Sequence, residues 1–101
     1  MDLNLLLEQA AKMEQELKKA NEELNAALFE GKASGGLVTV TINGNGKVQE
    51  VFIAEELMNP DDREILQDMV MIAFNDASDK LEKTRNQKLS SATGGLSIPG
   101  L

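Results

Sequence analysis

Leu37-Val38-Thr39-Val40-Thr41-Ile42-Asn43-Gly44-Asn45-Gly46, followed by Lys47-Val48-Gln49-Glu50-Val51-Phe52-Ile53-Ala54, decides the fold. The first run is rich in β-branched residues and alternates in character, which suits a pleated strand with one buried face. Asn43-Gly44 and Asn45-Gly46 form a doubled hairpin signal, because Asn and Gly tolerate the positive φ of tight turns. The return strand spans Lys47 to Ala54. A two-residue turn at Asn45-Gly46 pairs Val40 with Val51 and Val38 with Ile53. That register gathers four β-branched residues on one face, and a one-residue slip scatters them. Ile42 then faces Gln49, a poorer match, and a longer loop is the alternative. A sheet with one apolar face needs a helix over it.

Both flanks of the hairpin read as helices. Leu3, Leu6, Ala10, Met13, Leu17, Ala20, Leu24 and Ala27 alternate spacings of three and four, which predicts a helix over 3–27 with a heptad seam. Asp2 suits its cap, and the helix fades near Ala26. At 1.5 Å per residue it is about 36 Å long. A seam this narrow calls for a partner helix, either the chain's own second helix or one from another copy. Leu6, Met13, Leu17 and Leu24 are the candidate dimer contacts. Phe29, Gly31 and the run Ala33-Ser34-Gly35-Gly36 suggest a short strand and a turn.

Asn59-Pro60-Asp61-Asp62 marks the start of the second helix: Asn caps, Pro suits the first turn, and the two Asp meet the positive end of the dipole. This helix is expected to reach about Leu89. Leu66, Met69, Val70, Ala73, Ala77 and Leu81 form one stripe, widened by Ile65 and Phe74. The stripe ends near Leu81 while the helix continues. Asn75 and Asp76 flank it, and a polar contact to a neighbouring strand, loop or subunit is their expected role. Residues 90–101 are small, polar and Gly-rich and read as a flexible tail, which leaves a single domain over 1–89.

With 101 residues, the chain fits one small domain, for which oligomerisation is a common way to complete a core. It has neither Cys nor His. Disulfides, thiolate metal sites and the usual general base are thereby excluded, and no metal, cofactor or small-molecule substrate is expected. No apolar run approaches the roughly 20 residues that span a bilayer, and no secretory leader is recognisable, so the expected location is the cytoplasm.

The net charge is −7, yet residues 80–88 hold four bases against the single acid Glu82, a local +3. Lys80 and Lys83 have Asp76 and Asp79 four residues before them, an arrangement that stabilises helices. Arg85 and Lys88 have no such acid and are the better candidates for touching an anion. No aromatic residue lies nearby to stack on bases, so a nucleic acid would be met through its phosphates. The glycines around Lys32 lack the order of a P-loop and precede a strand. The carboxylates show no catalytic pairing or calcium-loop spacing.

In order along the chain, Gly35 to Gly44, Val48 to Ile53, Asp68-Met69-Val70, Ala73-Phe74-Asn75-Asp76-Ala77, Lys80 to Lys88, Gly94-Gly95-Leu96 and Pro99-Gly100-Leu101 resemble the YbaB/EbfC family of small bacterial nucleoid-associated proteins. The resemblance implies an α+β, two-layer α-β-β-β-α subunit with an antiparallel sheet and long terminal helices, paired as a tweezer-like homodimer. It also supports a first strand near Phe29–Ala33. It implies duplex DNA as the partner, a place in the nucleoid, a role in chromosome organisation or gene expression, and no enzymatic activity. The terminal helices are the implied DNA contacts, which here points to Lys18, Lys19, Lys80, Lys83, Arg85 and Lys88. The alternative is a non-enzymatic dimeric interaction module using its acidic surface or helix seam.

Overall fold

The computed structural model describes residues 2–92. Helix α1 (Leu3–Ala26) leads into strand β1 (Leu28–Ala33), and a short 3-10 turn (Ser34–Gly36) reaches β2 (Val38–Asn43) and β3 (Val48–Ile53). Two further 3-10 turns, Glu55–Leu57 and Pro60–Asp62, lead into α2 (Arg63–Ala92). The strands form one antiparallel sheet in the order β1-β2-β3. This is the α+β arrangement that the hairpin and its flanking helices imply.

Pairing of Val38 with Ile53 and of Val40 with Val51 is as expected. The turn is not. Thr41 pairs with Glu50 but Ile42 pairs with Val48, so Gln49 is an extra, bulged residue. The bulge keeps Val48 in phase with the apolar face, a better match for Ile42 than Gln49. The loop is correspondingly longer: Asn43 N–H donates to Lys47 O, Gly46 N–H donates to Asn43 O, and Gly46 takes φ +80°. A three-residue hairpin loop needs such a left-handed residue, and Gly supplies it without strain.

The core lies between this sheet and α2. Phe29, Gly31 and Ala33 of β1 alternate inward, as do Val38, Val40 and Ile42 of β2. Ala73, Ala77 and Leu81 of α2 meet them, and Leu24 and Leu57 complete the cluster. Small residues at the crossing let the helix sit down on β1: a Cβ on Gly31 would run into the Ala73 carbonyl and the Ala77 amide. α2 lies across β1 and β2 and scarcely reaches β3. The inner face of β3 is therefore open, and Val51 is 48 % exposed although its partner Val40 is buried.

Helix ends conform in part. The Asp2 carboxylate accepts from Asn4 N–H at 3.0 Å and caps α1 as expected. The Asn59 side chain makes no capping bond; its backbone carbonyl accepts from Asp62 N–H, and a 3-10 turn precedes α2. α2 also runs past Leu89 to Ala92, so residues 90–92 of the segment read as a tail are helical. The remainder of that tail, 93–101, lies outside the described residues. No described helix is long and apolar enough to cross a membrane.

Candidate functional site

Beyond the sheet, α1 and α2 run side by side and antiparallel. Their facing residues, Glu16, Lys19, Ala20 and Glu23 from α1 and Thr84, Gln87, Lys88 and Ser91 from α2, line an open groove of about 710 Å³. The pair stretches the subunit to 71 × 21 × 17 Å, with a radius of gyration of 19.2 Å. A compact domain of this length has about 13 Å. The α1 seam is thus divided. Leu24 is buried in the subunit's own core and Leu17 is half-buried, while Leu6 and Met13 stay exposed. The C-terminal part of α2, which outlasts the sheet core, is met by α1.

Placement of the cationic candidates follows from the same packing. Lys80 Nζ donates to Glu30 O at 2.8 Å and pairs with Asp76 Oδ2 at 3.3 Å. Arg85 Nη2 donates to Gly44 O at 3.3 Å. Gly44 itself lies against Leu24 O, too close for any Cβ, so the hairpin loop is gripped between the end of α1 and Arg85 of α2. Lys88 Nζ pairs with Glu23 Oε2 across the helices at 3.0 Å. Lys80, Arg85 and Lys88 are therefore each engaged within the subunit. Lys18, Lys19 and Lys83 make no ion pair among the described residues, and the Asp79–Lys83 pair that the spacing suggests does not close. Lys12 is equally unpaired and lies two turns before Lys19 on the same row of α1. The heptad spacing of Lys12 and Lys19 was the signal for it in the sequence.

Two carboxylates carry the electrostatic load of these contacts. The hydrogen bond and charge of Lys88 hold Glu23 below its ordinary pKa, with a smaller contribution from Lys19. The Lys32 backbone N–H, then Lys80, do the same for Asp76. A folded-state pKa below the unfolded value means stability that is present above the unfolded value and is lost as pH falls through the folded one. Both groups face solvent, so screening keeps the effect modest. The double variant E23Q/D76N is expected to lose less stability than the parent on acidification below the ordinary carboxylate range. Thermal midpoints measured against pH check this, and parallel curves for the two proteins count against it.

A second surface was not legible as such in the sequence. Between Ile65 and Phe74, α2 is apolar on every side except Gln67 and Asp68. Asp76 and Lys80 fix the β1-facing flank. At 100° per residue, Val70, Met71 and Phe74 fall on or behind the opposite flank, above the open inner face of β3. Met71 is 57 % exposed. Val48, Val51, Met71 and Phe74 are apolar side chains that the subunit leaves exposed. A helix apolar all round is ordinarily buried all round. Reading the residues as a single stripe hid this signal.

Among known proteins, the sequence model of the YbaB/EbfC DNA-binding family matches residues 1–96. A nucleoid-associated protein of Chloroflexus aurantiacus is 41 % identical over 96 residues, covering 95 % of this chain and 96 % of the relative. A nucleoid-associated protein of Rickettsia felis is 38 % identical over 99 residues, covering 98 % and 92 %. The crystal structure of an uncharacterized Helicobacter pylori protein superposes with a TM-score of 0.76 at 28 % identity, over 93 % of this chain and 99 % of that one.

Proposed function

The chain belongs to the YbaB/EbfC DNA-binding family, and from that premise we propose that it binds duplex DNA as a homodimer, through phosphates and with little sequence preference. The observation that carries the assembly is the apolar collar of α2 beside the open face of β3. Two copies meeting there bury Val51, Met71 and Phe74 and leave both helix pairs projecting as arms. Continuing the α1 seam, Leu6 and Met13 are the part of the sequence-based dimer contacts still exposed; Leu17 and Leu24 serve the subunit itself.

The arms supply the DNA contact. On the arms, Lys12, Lys18, Lys19 and Lys83 are the cations whose side chains are not already occupied, and they are the first to meet phosphate. Lys80, Arg85 and Lys88 meet an anion in competition with Glu30, Gly44 and Glu23. This reading places the protein in the nucleoid, with chromosome organisation or gene expression as the affected process and no catalysis.

Counterion release makes phosphate binding fall steeply with salt, with a slope of about −0.9 per phosphate neutralised. A gel shift on duplex DNA titrated with salt is expected to show this decline on unrelated sequences alike. K18E/K19E/K83E is expected to weaken binding about tenfold or more and to flatten the slope by roughly one unit per lost contact. Absence of binding at low salt overturns the proposal and favours a dimeric protein-interaction module. Unchanged affinity in the triple variant removes these lysines from the contact.

A further inference from the structure

We propose that Asp76 and Lys80 lock the free edge of β1, and so prevent this sheet from pairing strand to strand with β1 of a second copy. β1 pairs with β2 on one side only. On the other side, alternate residues turn their backbone groups outward, which is a ready template for another strand. Two of these groups are already engaged. Lys32 N–H donates to Asp76 Oδ2 at 3.0 Å, and Glu30 O accepts from Lys80 Nζ at 2.8 Å. The Lys80–Asp76 pair at 3.3 Å joins the two contacts, and Lys32–Glu30 at 3.4 Å runs along the strand beside them.

The crossing of α2 makes this reach feasible. Gly31 admits the helix backbone at Ala73 and Ala77. Asp76 and Lys80 then stand one turn apart on the flank that overhangs β1. Without the glycine the helix would stand off, and neither side chain would reach the edge.

The partner that the edge fits is another β1. Antiparallel self-pairing centred on Gly31 sets Glu30 opposite Lys32 of the second copy, and Lys32 opposite its Glu30. Opposite charges thus face each other twice. In that register Glu30 O and Lys32 N–H are hydrogen-bonding groups of the new ladder. These are the groups that Lys80 and Asp76 occupy. The contact is self-complementary in side chains, and half of its backbone ladder, Glu30 O and Lys32 N–H on each copy, is closed to it.

The test uses the full chain. Wild-type Lys32 N–H is expected to exchange slowly, like a ladder amide. In D76A it should exchange about fivefold to tenfold faster, the effect of losing one hydrogen bond. In sedimentation velocity over a concentration series, D76A/K80A is expected to gain species heavier than wild type. Adding E30P should abolish them, because proline removes an outward edge donor without touching the β1–β2 ladder. Fast exchange of Lys32 N–H in the wild-type protein overturns the proposal whether or not the variants fold. So does a D76A/K80A protein that keeps the wild-type mass while its Lys32 amide exchanges freely.

Discussion

Replacing Gly31 with alanine is expected to cost the fold about 3–5 kcal/mol, near the upper end for a single substitution. The added methyl would occupy space held by the Ala73 carbonyl, the Ala77 amide and the Ala77 methyl. Backbone is the obstacle there, so no side-chain rotation relieves the clash. α2 would have to lift from β1, uncovering Phe29, Val38 and Val40, and Asp76 would leave Lys32. Small domains have only about 5–15 kcal/mol in total. The thermal midpoint, read at fixed protein concentration, should therefore drop by well over about 10 °C. Gly35 provides the control. It has φ +71° but open space around it, so G35A is expected to cost only about 1–2 kcal/mol of backbone strain. A G31A midpoint within a degree or two of wild type would show that the helix does not sit on this strand as described.

The second large effect concerns assembly. M71E/F74E is expected to turn the proposed dimer into a folded monomer. Within the subunit both side chains are substantially exposed, 57 % and 37 %, so the circular dichroism spectrum should hardly change. In the dimer each glutamate would be buried without a partner, at several kcal/mol. Light scattering should read half the wild-type mass. DNA affinity should fall with it by about a hundredfold, because two arms joined in one particle bind far better than one. A dimeric mass in the variant moves the interface elsewhere. A monomer with undiminished DNA affinity would instead separate assembly from binding.

Much of the fold was legible because its signals are local or strictly periodic. The Val38–Ile53 and Val40–Val51 pairs follow from alternation, and the length of α1 follows from its seam, whereas α2 outruns its stripe and ends at Ala92. The bulge at Gln49 was hidden because the doubled Asn-Gly signal admits two loop lengths, and only packing of Val48 against Ile42 selects one. The site was harder to read. Spacing offered Arg85 and Lys88 as unpaired cations, since intrahelical arithmetic sees only partners three or four residues away. Their actual partners, Gly44 and Glu23, are distant in sequence and arrive through tertiary packing. Asp76 is the opposite case: a polar residue beside an apolar stripe suggests a contact to a neighbouring strand, loop or subunit, and of these the structure shows the strand, at Lys32.

The grip on Gly44 bears on how the arms move. The hairpin loop is seated against the last turn of α1 and tied to α2 through Arg85, so both helices share one fulcrum at the rim of the sheet. A tilt of about 5° there displaces the far end of a helix of roughly 36 Å by about 3 Å, close to the axial rise of one DNA base pair. In the proposed dimer, the span between arms then depends on the seating of one glycine loop in each subunit. Changes at position 44 or 85 would alter reach before they altered charge.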